Sequence, residues 1–215
     1  LNEAAGVVAA LERLQPLRAQ GHEVIVVDGG SDDATVAVAG PLADRTLHTQ
    51  RGRAVQMNAG SIVARGEALL FLHADSWLPG DAAGAIARAL SSGAHWGRFD
   101  VNIAGEPAIL KVVATMMNVR SRLTGIATGD QGIFVLRDTF NAIGGYPLIA
   151  LMEDIALSTA LKRRAGFPAC LHQRIVTSGR RWERHGPWRT IVKMWRLRLA
   201  YAMGADPEHL ARHYS

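Results

Sequence analysis

Short apolar runs alternate with amphipathic stretches over the first part of the chain. The runs at 23–27 and 68–72 are typical of buried strands, and a third strand is predicted at 45–49. Apolar residues at helical spacing predict helices at 2–20, 34–39, 54–64 and 81–90. This alternation predicts an α/β fold, in which a mostly parallel, doubly wound sheet carries helices on both faces.

The later part of the chain has a less regular pattern. Polar alternation at 95–101 predicts a half-exposed strand, and a broad apolar face predicts a helix at 107–123. Further strands are predicted at 133–136 and 169–177, and further helices at 138–143, 153–165, 187–203 and 206–212. Because no repeat or low-complexity linker interrupts the pattern, we expect one domain over 1–215. It would comprise a nucleotide-binding half (about 1–95), an acceptor half (about 96–180) and a basic helical segment (181–215).

Composition narrows the class of protein. The 215 residues are 48% hydrophobic and 20% charged, as in globular proteins. The single Cys170 excludes an internal disulfide and fits a reducing compartment. No apolar run approaches the roughly 20 residues that span a bilayer. The net charge of +5 arises mainly in the second half, especially at 162–164 and 180–198. Such a local basic patch suits nucleic acid, anionic lipid or phosphorylated small molecules.

Two predicted strands end in carboxylates. The stretch 68–79 passes from an apolar run to His73, Asp75 and Ser76, and Asp28 opens the polar exit DGGSDD of an earlier strand. Open α/β sheets bind ligands at the carboxyl ends of their strands. The pair therefore predicts a metal or phosphate site, although helix caps or structural carboxylates remain an alternative. The spacing matches neither a dinucleotide fingerprint nor a P-loop.

Cations and carboxylates at helix starts add candidates. Arg51 and Arg53 precede a helix that contains Asn58, an arrangement that suits an anion or is simply a solvated loop. Glu153 and Asp154 open another helix, where a carboxylate is kept ionised and could act as a general base. Favourable placement at a helix dipole explains the same pair without any catalytic role.

The C-terminal segment is the most basic part of the chain. The run RRWERH at 180–185 fits a phosphate clamp, a nucleic-acid patch or a solvated turn. The helix at 187–203 carries Trp188 and Trp195 on one apolar stripe. Such a stripe packs on its own domain, rests on an anionic membrane or forms a dimer contact.

Taken together, these segments resemble family 2 glycosyltransferases with the nucleotide-binding GT-A fold. The matching segments are LNE (1–3), VVDGGSDDAT (26–35), RGR to NAG (51–60), LHAD (72–75), GDQG (129–132) and EDIAL (153–157). They follow the family's order. The segment 180–214 also resembles a small bacterial subgroup associated with radical-SAM/selenium-related or arsenosugar pathways.

The resemblance implies a role for each nucleotide-side residue. Glu3 and Asp28 would hold the ribose and base of a nucleotide-diphosphate sugar, often UDP. Arg51, Arg53 and Asn58 would lie near the nucleotide.

The resemblance also implies the chemistry. Asp75 would bind Mg²⁺ or Mn²⁺ against the diphosphate, and Asp154 would deprotonate the acceptor hydroxyl for an inverting transfer. Further residues are expected on the acceptor or phosphate side: Glu153, Asp130, Gln131, Arg181, Trp182 and His185. The expected partners are the donor sugar and an acceptor but no nucleic acid, with a membrane or second-subunit contact through 187–203. The expected location is cytoplasmic.

Two features depart from the family. The metal motif is usually Asp-x-Asp, whereas this chain has His73-Ala-Asp75. The family also has a strand before Asn2 and Glu3, and we expect that strand to be missing from this sequence.

Two other functions compete with glycosyl transfer. A sugar-phosphate nucleotidyltransferase would share the α/β half and the metal carboxylate, but it needs a basic Gly-rich loop that the residues after Glu3 do not supply. A membrane- or nucleic-acid-binding module would use only the C-terminal basic patch.

Overall fold

The computed structural model describes residues 1–106 and 108–214, except for the side chains of Arg181 and His185. The strands are β1 (Ile25–Asp28), β2 (Arg45–His48), β3 (Ala68–Phe71), β4 (Ser76–Trp77), β5 (Trp96–Ile103), β6 (Ile133–Leu136) and β7 (Ala169–Thr177). The helices are α1 (Ala4–Glu12), α2 (Gln15–Ala19), α3 (Thr35–Ala39), α4 (Arg53–Val63), α5 (Ala82–Ser91), α6 (Ile109–Thr124), α7 (Arg137–Ala142), α8 (Glu153–Ala165), α9 (Arg180–His185), α10 (Pro187–Ala202) and α11 (Pro207–Tyr214). Short 3-10 turns lie at Gly40–Leu42 and Gly129–Gln131.

The strands form two sheets. β1 and β2 pair in parallel, and a five-stranded sheet has the order β3-β6-β5-β7-β4. The predicted α/β layering is confirmed, but the prediction of mostly parallel strands is wrong for the larger sheet. There only β5 and β7 run in parallel, and the other three pairs are antiparallel. Between α6 and β6 the chain forms a 3-10 turn that packs on β5 and β7. Strand β6 then runs antiparallel to β5.

Strand β5 is the buried centre of the larger sheet, and its predicted half-exposure is wrong. It lies between β6 and β7, and its polar residues Arg98 and Asp100 are buried with its aromatic ones. Arg98 pairs with Asp100, and Arg122 of α6 donates to both Asp100 oxygens at 2.7 and 3.0 Å. Burial alone would raise the pKa of Asp100, but the hydrogen bonds from Arg122 and Arg98 hold this pKa below its ordinary value. The polar alternation therefore reflects a buried ion cluster and not a solvated face.

Hydrophobic clusters lie on both faces of the larger sheet. On one face Trp96 and Val135 pack with Phe140, Tyr146 and Leu157 from the α7–α8 region. On the other face a second cluster joins the sheet to α5 and α6, and its buried members include Phe99, Val101, Leu110, Val113, Phe134 and Ile175. This layering places the ends of the strands, with their polar residues, between the two layers of helices.

The two sheets are separated by an apolar slot. In the described part of the chain β1 pairs only with β2, and β3 pairs only with β6. A cavity of about 1440 Å³ lies between β1 and β3, and it is also lined by Leu11 of α1 and Ile86 of α5. Each of the two strands therefore has one unpaired edge at this slot.

The C-terminal helices fold back onto the domain. Leu197 of α10 and Leu210 of α11 are buried against Leu151 and Met152, directly before α8. None of the described helices has the length and apolar content needed to cross a bilayer. The basic segment thus packs beside the start of α8, where the predicted base lies.

Candidate active site

Asp28 ends β1 and is buried with its charge well satisfied. Its Oδ2 accepts hydrogen bonds from the backbone nitrogens of Gly30 and Ser31, both at 2.8 Å, and its Oδ1 accepts one from the Ser31 hydroxyl. Burial would raise the pKa of Asp28, but the bonds from Ser31 and Gly30 outweigh it and lower that pKa. Asp28 is therefore an ionised anchor that shapes the loop 29–31, and its predicted contact with a nucleotide stays a prediction.

Arg180 connects the two ends of the chain at the exit of β3. Its Nη2 lies 3.1 Å from Glu3 Oε2 and 3.8 Å from Asp75 Oδ2. Glu3 foremost, with Asp75 as a weaker neighbour, raises the pKa of Arg180. Glu3 and Asp75, two of the predicted site residues, thus share the exposed guanidinium of Arg180. Sequence reasoning singled out the basic run at 180–185 but did not select Arg180, because its partners are more than 100 residues away in the chain.

His73 joins the exit of β3 to the loop before β6. Its Nδ1 lies 3.4 Å from Asp130 Oδ1. Its Nε2 lies so close to Gly129 that a Cβ there would be only 2.5 Å away. The residue that replaces the first carboxylate of the family motif therefore contacts the predicted acceptor-side loop directly.

Asp154 is held by that same loop. It lies in the first turn of α8, half-buried, and its Oδ2 accepts a 3.0 Å hydrogen bond from the backbone nitrogen of Gly129. The preceding Met152 has a φ of 68°, a left-handed conformation that is strained for a side chain of this size. Packing of Met152 on Leu197 and Leu210 supports this turn. Strain of this kind is concentrated at functional sites, where the surrounding structure imposes it.

Glu153 is buried next to Asp154 and facing a cation. Its Oε1 lies 3.7 Å from Nη1 of Arg53. Burial, followed by the charge of Asp154, raises the pKa of Glu153, and Arg53 opposes that rise. For Arg53, burial would lower the pKa, but Tyr214, Glu153 and further acidic neighbours raise it. Arg53 therefore faces the α8 carboxylates with its side chain 46% exposed, and Arg51 also lies exposed, in the preceding turn.

Arg120 of α6 has both Asp154 and Arg198 of α10 as charged neighbours. Burial, and after it the positive charge of Arg198, lower the pKa of Arg120 to about 10. The negative charge of Asp154 opposes this shift. Nε and Nη2 of Arg120 and Nε of Arg198 are buried, and among the described residues they have no hydrogen-bond partner. Sequence reasoning missed this cluster and also missed Tyr214, since only the return of α10 and α11 onto the domain brings them to the site.

Three predicted residues turn out to have mainly structural contacts. Gln131 is fully buried, and its Oε1 accepts from the Thr128 nitrogen at 3.2 Å. Trp182 packs on the hydrophobic cluster that includes Leu110. The contacts seen for these two side chains are thus with the fold itself, and their predicted place on the acceptor or phosphate side stays a prediction.

Asn58 has the third structural role. Its amide donates to the Tyr146 carbonyl at 2.8 Å and accepts from the Tyr146 nitrogen at 2.9 Å. This pair fastens α4 to the loop before α8, while a place of Asn58 near a nucleotide stays a prediction. Arg181 and His185 also stay predictions, since their side chains lie outside the described residues.

The described residues contain no cluster of three or more His, Cys, Asp or Glu side chains that could hold a metal ion. Asp75 is the predicted ligand, and its carboxylate is 36% exposed. Any cation bound there would need most of its ligands from outside the protein.

The structure has layered α/β architecture, with carboxylates at the strand ends and a helix that begins at Glu153 and Asp154. This arrangement defines the class of protein as one with the GT-A fold. Residues 1–141 match the sequence profile of glycosyl transferase family 2. The chain belongs to this family. A search of curated protein sequences finds no significant match.

Solved structures support the fold. The mannosyltransferase PcManGT from Pyrobaculum calidifontis, in complex with GDP-Man and Mn²⁺, is 20% identical with a TM-score of 0.70, over 97% of this chain and 64% of its own. TarS 1-349 from S. aureus is 15% identical with a TM-score of 0.61, over 81% of this chain and 58% of its own. Glucosyl-3-phosphoglycerate synthase from Mycobacterium tuberculosis, in complex with Mn²⁺ and UDP-Glc, is 15% identical with a TM-score of 0.60, over 82% of this chain and 67% of its own. The chain thus spans less than two thirds of the first two structures.

Proposed function

We propose that the protein is an inverting glycosyltransferase, which moves a sugar from a nucleotide-diphosphate sugar to an acceptor hydroxyl. The observation that carries the proposal is a chain of contacts across the site. It runs from the exit of β3 through His73 and Gly129 to Asp154. The contacts bring the proposed donor side and the proposed base to one place, as transfer between two substrates requires.

The donor would lie along the ends of β1 and β3. Asp28 would accept from the base or ribose through the lone pairs that its own loop leaves available. Glu3, Arg51 and Arg53 would lie near the nucleotide. We propose a UDP-sugar as the donor. Because the PcManGT structure contains GDP-Man, a GDP-sugar is the first donor to compare with a UDP-sugar.

Asp75 would hold the divalent metal, Mg²⁺ or Mn²⁺. The residues fit such a site, because Mg²⁺ takes one or two carboxylates and fills its remaining positions with phosphate oxygens and water. Arg180 at 3.8 Å would compete with the cation for Asp75 and could instead pair with Glu3 alone. When bound, the metal would neutralise charge on the departing diphosphate.

Asp154 would act as the general base. The acceptor oxygen forms a bond to the anomeric carbon as the bond from that carbon to the diphosphate oxygen breaks. The hydroxyl proton passes to the Asp154 carboxylate. Attack from the face opposite the leaving group inverts the anomeric configuration. The hydrogen bond from Gly129 would fix the carboxylate at the position needed to accept that proton.

Substitution of the proposed base tests the mechanism. Asp154→Asn should lower sugar transfer by at least about 1,000-fold, while UDP with Mn²⁺ still raises the melting temperature. The exposed Asp138 in the first turn of α7 offers a matched control, Asp138→Asn, which should leave both properties unchanged. Full activity of Asp154→Asn would contradict the base assignment. Release of pyrophosphate from a nucleoside triphosphate would favour the nucleotidyltransferase instead.

The C-terminal segment supports a finer proposal, membership in the small bacterial subgroup that 180–214 resembles. Its residues have defined places: Gly204 follows α10 with φ at 89°, and Asp206 Oδ1 accepts from the Glu208 nitrogen at 3.2 Å. Leu210 is buried, and Tyr214 neighbours Arg53. We also propose a cytoplasmic location and a contact with a partner outside the chain through 187–203.

A further inference from the structure

Helix α10 presents an apolar stripe to solvent. Trp188 is 70% exposed and Trp195 is 62% exposed. The exposed apolar residues follow one another at steps of three or four positions, which places them on one side of a helix. They are Trp188, Val192, Trp195, Leu199 and Met203. The opposite side of α10 carries the buried Thr190 and Leu197, so of the three alternatives for this stripe, packing on its own domain does not apply to these exposed residues.

Helix α6 carries a second exposed stripe with the same spacing. Its members are Val112, Met116, Val119 and Leu123. The buried Leu110, Val113 and Ala114 lie on the other side of the helix. The fold thus leaves two large apolar stripes uncovered, and each belongs to a helix whose inner side is already packed.

The two helices contribute to one hydrophobic cluster. Ile191 of α10 packs on the cluster that contains Leu110 and Val113 of α6. Further along both helices, Arg198 acts as a charged neighbour of Arg120. Both helices thus border the same hydrophobic cluster, and both turn their stripes away from it. We call these two stripes together the two-helix face.

The two-helix face is cationic as well as apolar. Neither α6 nor α10 contains an acidic residue. The exposed Arg189 and Arg196 directly follow the two exposed tryptophans, and the exposed Lys111 precedes Val112. An apolar centre bordered by positive charge, with tryptophan at the boundary, is the surface that anionic bilayers bind.

We propose that the two-helix face docks the protein on the surface of an anionic phospholipid bilayer, with both helices parallel to the membrane plane. The apolar side chains would enter the region between headgroups and acyl chains, while Arg189, Arg196 and Lys111 attract lipid phosphates. A second copy of the chain is a poorer occupant, because symmetric pairing would bring these cations together. Nucleic acid would leave the aliphatic side chains without a partner.

Vesicle binding tests this proposal directly. The protein is sedimented with vesicles of pure phosphatidylcholine, or of phosphatidylcholine with one third phosphatidylglycerol. The partition coefficient should be at least tenfold higher for the anionic vesicles and should fall as salt is raised. Trp195→Ser combined with Leu199→Ser should lower it at least tenfold. The control is Ile62→Ser on α4, since Ile62 is 81% exposed outside the two-helix face, and it should bind like the unaltered protein.

Three results would overturn the docking proposal. One is equal binding to the two kinds of vesicle, and another is unchanged binding of the double variant, with circular dichroism confirming its fold. The third is a lipid-free dimer in light scattering that the double variant abolishes, since a second copy would then cover the face. Because vesicle binding requires neither donor nor metal, its outcome is independent of the proposed transfer reaction.

Discussion

The donor side and the acceptor side of this molecule are held together in different ways. On the donor side, Asp28 is satisfied by Gly30 and Ser31, only two and three residues further along the chain. On the acceptor side, Gly129 donates to Asp154, 25 residues away. The Asp28 carboxylate is therefore satisfied by local sequence, whereas the Asp154 carboxylate is held only when distant elements pack.

The largest loss of stability is expected at the buried ion cluster of Arg98, Asp100 and Arg122 in the acceptor half. Asp100→Asn would leave Arg98 buried with only part of its compensation, and loss of one partner of a buried ion pair costs about 3–5 kcal/mol. Urea unfolding measures the loss, and Asp138→Asn is the exposed control. A loss below 1 kcal/mol would show that the ion cluster does not hold the acceptor half.

The same cluster gives acid stability a definite sign. Because the pKa of Asp100 is lowered by folding, its stabilisation is complete above the unfolded value of about 3.9 and is lost as pH falls through the lower folded value. The unfolding free energy of Asp100→Asn should therefore depend less steeply on pH in that acidic window.

An intermediate effect is expected at the joint between the two sides. Gly129→Ala would force a Cβ to within 2.5 Å of His73 Nε2, so the loop that positions Asp154 must shift. Displacement of a catalytic group by about 1 Å can cost about 100-fold in rate. Transfer assays should show this loss in kcat, with nucleotide affinity retained. Gly80→Ala is the control, since a Cβ on Gly80 meets nothing within 4 Å; equal activity of the two variants would contradict the coupling.

The smallest effect is expected in the donor loop. Gly30 has a φ of 93° with open space around its Cα, so Gly30→Ala adds only backbone strain of about 1 kcal/mol. Nucleotide affinity should fall a few-fold, and acceptor-dependent rates at saturating donor should not change. Gly30→Asn should be milder, because asparagine tolerates positive φ better than alanine does. A loss of acceptor-dependent rate would show that the two sides are not separate.

The sequence predicts this fold best where apolar runs are bounded by glycine. Strands β6 and β7 and helix α8 have the predicted bounds, and Gly132 and Gly166 lie at their ends. The burial of β5 could not be predicted in this way. Its Asp100 is paired with Arg122 as well as Arg98, and the position of Arg122 depends on how α6 packs. The antiparallel entry of β6 likewise depends on packing and not on the local pattern.

For the site, the types of chemistry were predictable but the pairings were not. Asp28, Asp75 and Asp154 were selected because carboxylates at strand ends and helix starts have clear physical uses. Arg180, Arg120 and Tyr214 were not selected, because their partners come from distant parts of the chain. The full burial of Gln131 was likewise not predictable, since a polar side chain in a motif can also serve the fold.

The apolar slot between β1 and β3 bears on the cooperativity of unfolding. No backbone hydrogen bond joins the ladders of the two sheets in the part of the chain that the structure describes. The β1–β2 pair can therefore open without first breaking the five-stranded ladder, and its amides should exchange with solvent at a lower free energy than those of β5. An extended segment seated in the slot, bonded to both edges, would merge the two units and make them unfold together.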